Sequence, residues 1–468
     1  MSSSRPPRYT RRRFLGSCCA AVGATGVLST LSQMRLMGAV AGSTLPGGAS
    51  GSMEPDYRAL VCLYLNGGND GNNLIVPNDS RAHAAYARNR RGLAIERREL
   101  IGIDPTTTDG RAWGFHPSMA SLHPLFGSGQ LALLANVGTL LAPTTRQQYE
   151  ARSVPLPPQL FSHSDQTIQW QSSIPDRAFE TGWGGRMADL TNVFNENNRI
   201  SMNITLDGQN SFQVGRDVVQ YAVRPEGALN LWWHENENDG SAAQRLAAMG
   251  DLMSETDANM FKTAFGSTTG RALENSELLG EILTNAAPVS VEFPDTDLGA
   301  QLRMIAQLIA VRDQLGLRRQ IFFARLGGWD LHDEQINAHA LLLSELSDAM
   351  KAFYDATVEL GVSNDVTTFT ASDFGRTLVA NGDGSDHGWG GHHMIMGGAV
   401  RGGDIYGTMP DLTIDGPDDT EHGRWIPTIS VDEYNATLAR WFGVSDSDLP
   451  VVLPNIGRFA SRDLGFMA

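Results

Sequence analysis

The chain has 468 residues, 41% hydrophobic and 19% charged, the balance of an ordinary globular protein. That length is enough for one large domain with insertions or for two to three domains. Formal net charge is −16, and residues 1–41 hold six arginines and no acid, so the remainder carries −22 by subtraction. Such an acidic body excludes nucleic acid and anionic membrane as main partners, though not a basic pocket.

The N-terminus reads "TRRRFLG" at 10–16, the pattern of a twin-arginine export signal, with Arg11 and Arg12 as the pair and Phe14 and Leu15 following. A weakly apolar stretch over 18–31 comes next, and Ala39-Val40-Ala41 offers a cleavage site. Ser29, Thr30, Ser32, Gln33 and Arg35 interrupt the apolar stretch, which is too short to span a bilayer stably. "LGSC" at 15–18 imitates a lipoprotein box but leaves no apolar run ahead of Cys18, so lipidation is the weaker reading. The expectation is a signal over 1–41, a Gly/Ser/Pro linker over 42–56 and a body over 57–468, exported to the periplasm or secreted and keeping no stable membrane span after cleavage. Cys18 and Cys19 leave with the signal, and Cys62 alone cannot form an intrachain disulfide.

"RALVCLYLNGGNDGNN" (58–73) is a continuous apolar run ending in glycines and polar residues, which predicts a buried, parallel strand feeding a functional loop. "FHPSMASLHPLFGSG" has short helical spacing stopped at Gly127 or Gly129, and "LALLANVG" (131–138) is a second buried strand. Further apolar runs lie at 200–206, 320–326, 366–371 and 394–400. Between them, residues 298–315 follow the N-cap types Asp295-Thr296-Asp297 and repeat Leu302, Ile305, Leu308 and Ile309 as a helix does. Residues 333–360 repeat Leu342, Leu346, Met350 and Phe353, and Ser430 with Glu433 predicts a capping box for a helix ending near Phe442. This alternation predicts an α/β sheet covered on both faces. Residues 207–295, Met-rich and with little strand character, are expected to form an inserted helical cap.

Four polar clusters sit where apolar runs stop: 66–73 with Asp70, "GGWDLHDEQ" with Asp330 and His332, 372–376 with Asp373, and 386–393 with His387. Ligands collect beyond the carboxyl ends of strands in such sheets. Carboxylates and imidazoles arriving there together suit a divalent cation: Zn²⁺, Mn²⁺, Mg²⁺ or Ca²⁺. Taken singly, each cluster is also explained by turn formation or helix capping. "PPQLFSHSDQTIQWQS" (157–172) adds Ser162, Ser164 or Asp165 as the opening of a helix, where a hydroxyl would face backbone N–H groups able to hold phosphate or sulfate. Arg376 and Arg186 are candidate oxyanion partners or ordinary ion-pair arginines. His83, His116, His123, His234, His339 and His422 read as surface, packing or helix-entry residues. A redox role is disfavoured, since no dinucleotide glycine fingerprint follows a strand and no cysteine framework is present.

"LYLNGGNDGNNLIVP", "HPSMASLHPLFGSGQLALLANVGT", "SHSDQ", "GWGGR", "GGWDLH", "SDFGRT", "SDHGWGG" and "GGAVRGGDIYGTMP", in this order behind a twin-arginine signal, resemble the domain of unknown function 1501 family over nearly the whole mature chain. That family looks like a distant branch of the alkaline phosphatase/sulfatase superfamily. The resemblance implies an alkaline-phosphatase-like three-layer sandwich, with a mostly parallel central sheet and one or two divalent metals. It implies Asp70, Asp330, His332, Asp373 and His387 as ligands, with His392 or His393 in reserve. Ser162 would be the nucleophile, with Ser164 the second choice, and Arg376 or Arg186 would stabilise charge. Where the superfamily has Asp-His-Gly this chain has "SDFG", so Phe374 replaces an imidazole, and the Asp330–His332 spacing is shortened. The expected function is an exported metal-dependent hydrolase of phosphate, sulfate or related esters, free or on a glycan. The alternative is a non-catalytic envelope or glycan-binding protein using the aromatic residues Trp232, Trp233 and Trp389.

Overall fold

The structure, a computed structural model, describes residues 56–107, 110–196, 199–228, 241–254 and 260–468. The expected signal, most of the linker, Trp232, Trp233 and His234 lie outside them.

Strand Arg58–Leu65 sits mid-sheet, with parallel neighbours Val366–Ser372 on one side and Arg319–Leu326 on the other. Seven of its eight residues are buried, so both pleat faces are covered; this is why its sequence is continuously apolar rather than alternating. Asn203–Thr205 continues the sheet parallel to Arg319–Leu326. On the far side Gly391–Met396 runs antiparallel to Val366–Ser372 and to Leu131–Gly138, and short strands Ile405–Tyr406 and Ile429–Ser430 pair with the latter. The sheet is mixed and mostly parallel, the α/β class expected.

The helices follow their sequence signals. Asp297–Ala310 is capped by Thr296, whose hydroxyl accepts from the Gly299 N–H, and it buries Leu298, Leu302, Ile305, Leu308 and Ile309. Each such side chain contributes about 1.5–3 kcal/mol relative to exposure, so Leu302→Ala would cost roughly 2–5 kcal/mol. Gln335–Glu359 buries Leu343, Leu346, Met350 and Phe353. Val431–Phe442 opens with the Ser430–Glu433 capping box and stops at Gly443, at φ +119°.

The region 207–295 departs from the helical cap expected of it. Gln220–Arg224 pairs parallel with Asn203–Thr205 and turns back into Gly227–Ala228, so its first part extends the main sheet. The strand Gln220–Arg224, QYAVR, has only five residues with Tyr221 and Val223 on one face, a period-2 pattern too short to stand out. Helices Ala242–Ser254 and Met260–Asn285 follow. The chain divides into two compact units, the smaller taking its described residues from 241–273 and the larger comprising the sheet and the rest of the described chain.

The register aligns the strand ends. Leu65 lies opposite both Leu326 and Ser372, so the loops carrying Asp70, Asp330 and Asp373 leave one edge at one level. Gly391–Met396 runs the other way and begins at that edge, which is why His387, just before it, arrives there too. A separate hairpin, Arg376–Ala380 with Ser385–His387, places Arg376 opposite His387.

Candidate metal centre

Two histidines, one aspartate and their supports converge at this edge. His163, in the first turn of helix His163–Ser172, has Nδ1 2.7 Å from Asp373 Oδ2 and Nε2 3.1 Å from His387 Nε2. His387 donates from Nδ1 to the Phe161 carbonyl at 2.7 Å. Asp330 Oδ2 is 3.3 Å from His163 Nε2, and its Oδ1 is 3.2 Å from His387 Nε2. One ligand atom from each of His163, Asp330 and His387 lies within 4.8 Å of the others. His332 joins from the Asp330 loop, its Nε2 3.0 Å from Asp330 Oδ1 and 3.1 Å from His387 Nε2.

These partners fix the imidazoles. With Nδ1–H given to Asp373 and to the Phe161 carbonyl, His163 and His387 each turn an Nε2 lone pair inward. With both Nε2 atoms unprotonated, two lone pairs and a carboxylate face one another, an arrangement that repels itself unless a metal ion, or the proton that the raised His163 imidazole can take up, lies between. Ligands of a tetrahedral ion with bonds of about 2.0–2.1 Å stand roughly 3.3–3.4 Å apart, close to the 3.1–3.3 Å separations here. The donor set fits a divalent metal. Asp373, which accepts from His163 on one oxygen and from the Gly67 N–H at 3.2 Å on the other, stands behind the ligand as an orienting carboxylate.

The electrostatics follow. Burial would raise the Asp330 carboxyl, but hydrogen bonding and charge from Arg376 outweigh it and hold the group at about 2. The Asp373 hydrogen bond raises the His163 imidazole against the opposing effect of burial. Burial lowers His387 against the opposing hydrogen bond to the Phe161 carbonyl, which disfavours a second proton on its ring. Backbone strain contributes as well. Phe161 sits at φ +72°, rare for a bulky residue, and so aims its carbonyl at His387. The Arg424 guanidinium lies 4.8 Å over the Phe161 ring and its Nε donates to the His387 carbonyl at 2.7 Å. Gly67, at φ +122°, brings the loop so close that a Cβ there would lie 2.5 Å from the Asp330 nitrogen.

Several expected residues stand elsewhere. Asp70 is buried in an ion pair with Arg90, which is fully buried, and accepts from Gln335 Nε2 at 2.6 Å and from the Asn72 N–H. Its charge faces Arg90 rather than His163 and Asp330. Arg376 donates to the carbonyls of Gly67, Gly68, Trp329 and Ser385 and to Asp330, and Arg186 to the carbonyls of Ser172, Thr181 and Val452. Both guanidiniums are structural ties with little left for a substrate oxyanion. Ser162 precedes His163 and its hydroxyl donates to Asp165 Oδ2 at 2.6 Å, with Ser164 Oγ 3.3 Å away. His392 accepts from the Asn136 N–H and His393 packs on Trp170, both inside the sheet layer. His339 is a buried packing residue against Trp329 and His116. Phe374, in place of the expected imidazole, packs on His163 and His387 at ring-centre distances of 4.8 and 4.6 Å. Trp389 is 0% exposed and offers no flat binding surface. The residue that sequence reasoning missed is His163: it stood inside "SHSDQ", between the two hydroxyls that drew attention.

The family model described as "Protein of unknown function (DUF1501)" matches residues 57–422. Among solved structures the chain is similar to Ps i-CgsB, with 9% identity, 86% of this chain and 77% of that one covered, and a TM-score of 0.35. It is similar to PsFucS1 sulfatase from Pseudoalteromonas sp., with 10% identity, 84% and 69% covered, and a TM-score of 0.33. A third is phosphonate monoester hydrolase SpPMH from Silicibacter pomeroyi, with 10% identity, 82% and 73% covered, and a TM-score of 0.33. Likeness at that level carries no argument about the reaction. No curated protein matches.

Proposed function

Because the chain belongs to the family described as protein of unknown function (DUF1501), a membership that assigns no reaction, we propose from the centre itself that it is an exported metal-dependent hydrolase of phosphate, sulfate or related esters. The observation that carries this reading is the pair of inward Nε2 lone pairs facing Asp330. His163, His387 and Asp330 would hold the ion, with His332 as the next donor. Their nitrogen-rich chemistry favours Zn²⁺ or a similar transition ion over Mg²⁺ and Ca²⁺, which prefer oxygen. Bound there, the ion supplies Lewis acidity toward an ester oxygen.

The chain's own groups do the rest. Asp165 accepts the Ser162 proton as Oγ attacks the phosphorus or sulfur, and passes it to the alcohol oxygen as that bond breaks; water then cleaves the seryl ester, releasing phosphate or sulfate and restoring the hydroxyl. The first-turn N–H groups of His163–Ser172 face the developing charge. Arg376 and Asp373 keep Asp330 and His163 in place. Export rests on the twin-arginine pattern alone. Among the described residues no helix is long and apolar enough to cross a membrane.

Elemental analysis of the purified mature protein tests the centre. One bound divalent ion is expected, lost when Asp330→Ala and His387→Ala are combined, while Ser162→Ala keeps the ion and abolishes turnover in an ester screen. Full occupancy in the double variant refutes the centre, and turnover surviving Ser162→Ala removes the serine from the mechanism. A metal-bearing protein inert toward every ester would leave a binding role.

A further inference from the structure

A cavity of about 410 Å³ is lined by residues of the same helix and strand end that carry His163 and Gly67, though by none of the centre's own side chains. Thr167 lines it from helix His163–Ser172, one turn beyond His163 and on the same face. Tyr64 and Asn66 line it from the end of strand Arg58–Leu65, just before Gly67, whose N–H supports Asp373. The Tyr64 hydroxyl is 3.0 Å from Thr167 Oγ1. Opposite lies the loop 207–211.

The chemistry of the lining selects its ligand. Its two charged residues, Asp207 and Arg325, neutralise each other in a salt bridge. An anionic or cationic ligand would find no uncompensated countercharge. The remaining polar groups are amides and hydroxyls. Gln171 Oε1 accepts from the Ser211 and Phe212 N–H groups at 2.8 and 3.2 Å, which leaves its –NH₂ as a donor. The Asn66 amide makes no side-chain hydrogen bond among the described residues and offers both a donor and an acceptor. The loop is already held in place: Asn210 bonds Gln213 on both its amide atoms, and its backbone N–H and C=O bond the Gln220 amide. Binding therefore costs little loop ordering. The volume falls in the range of small-molecule sites, roughly 300–1,000 Å³.

We propose that this cavity binds a neutral polyhydroxylated ring, as in a sugar residue, and presents an ester borne by that ring to the centre next to it. The second half rests on the hydrolase reading; the binding half stands without it. The probes are neutral methyl glycosides of several hexoses and pentoses, measured by saturation-transfer NMR and titration on mature protein, with and without prior chelation. At least one glycoside should bind saturably in both forms. Asn66→Ala should weaken it about threefold to tenfold, the worth of one neutral hydrogen bond. Gln171→Glu, which keeps the acceptor for Ser211 and Phe212 and removes the donor, should weaken it at least as much. His387→Ala should leave it unchanged. Absence of saturable binding by every glycoside overturns the proposal, as does wild-type binding by both pocket variants or displacement of the glycoside by inorganic sulfate. If glycoside binding holds while Asp330→Ala with His387→Ala leaves ester turnover untouched, the hydrolase centre fails and the cavity assignment survives.

Discussion

Asparagine at position 373 has the shape of the aspartate but can serve only one of its two neighbours. Both are donors: the Gly67 N–H at 3.2 Å and His163 Nδ1 at 2.7 Å. If the new carbonyl stays with Gly67, the –NH₂ meets Nδ1–H. His163 must then adopt the other tautomer, with its proton on Nε2 where the ion needs a lone pair. If the amide turns over, the buried Gly67 N–H loses its acceptor at a cost of about 1–3 kcal/mol. On either route, loss of an orienting carboxylate typically weakens metal binding 10- to 100-fold, about 1.4–2.8 kcal/mol. Competition for Zn²⁺ against a chromophoric chelator, on Asp373→Asn protein shown to be folded by circular dichroism, reads this directly. An unchanged dissociation constant would refute the carboxylate–imidazole–ion reading of the centre.

Asp70→Ala should leave the fully buried Arg90 uncompensated and cost about 3–5 kcal/mol in denaturant unfolding, with zinc per folded molecule unchanged. Zinc loss at unaltered stability would restore Asp70 as a ligand. Burial raises the Asp432 carboxyl to about 8, and one of its oxygens is buried without a partner. The folded protein therefore holds that proton where the unfolded chain has released it, and stability falls as pH rises from near 4 toward 8. Asp432→Asn should raise the melting temperature increasingly across that window and hardly at its acid end; a gain independent of pH contradicts the assignment. Changing Arg11→Lys and Arg12→Lys together should retain the protein in the cytoplasm, as fractionation would show, and continued export would discard the twin-arginine reading.

The sheet was legible because strands buried on both faces carry continuous apolar stretches, and 59–65 and 321–324 stand out for that reason. Level strand ends followed from the polar residues that stop those runs, and so Asp330 and His387 could be placed at one edge of the sheet. The pairing of Asp70 with Arg90 was not legible: helix Ser80–Arg90 is rich in arginine, and only packing shows which guanidinium reaches the carboxylate. His163 was hidden for a related reason, since the carboxylate that orients it lies 210 positions away. The hairpin carrying Arg376 and His387 has its own signal in "NGDG" at 381–384, a strong turn sequence between its two strands.

His163 and His387 are 224 positions apart, one on a helix following the second long strand and one at the open end of a late hairpin, opposite Arg376. An ion between them is a clasp joining the chain's middle to its last quarter, in a molecule whose described residues include a single, buried thiol, Cys62. Loading then follows folding: an unfinished polypeptide that ends before residue 387 has no completed cage, and the cage closes only when the strand ends that carry its ligands have come together.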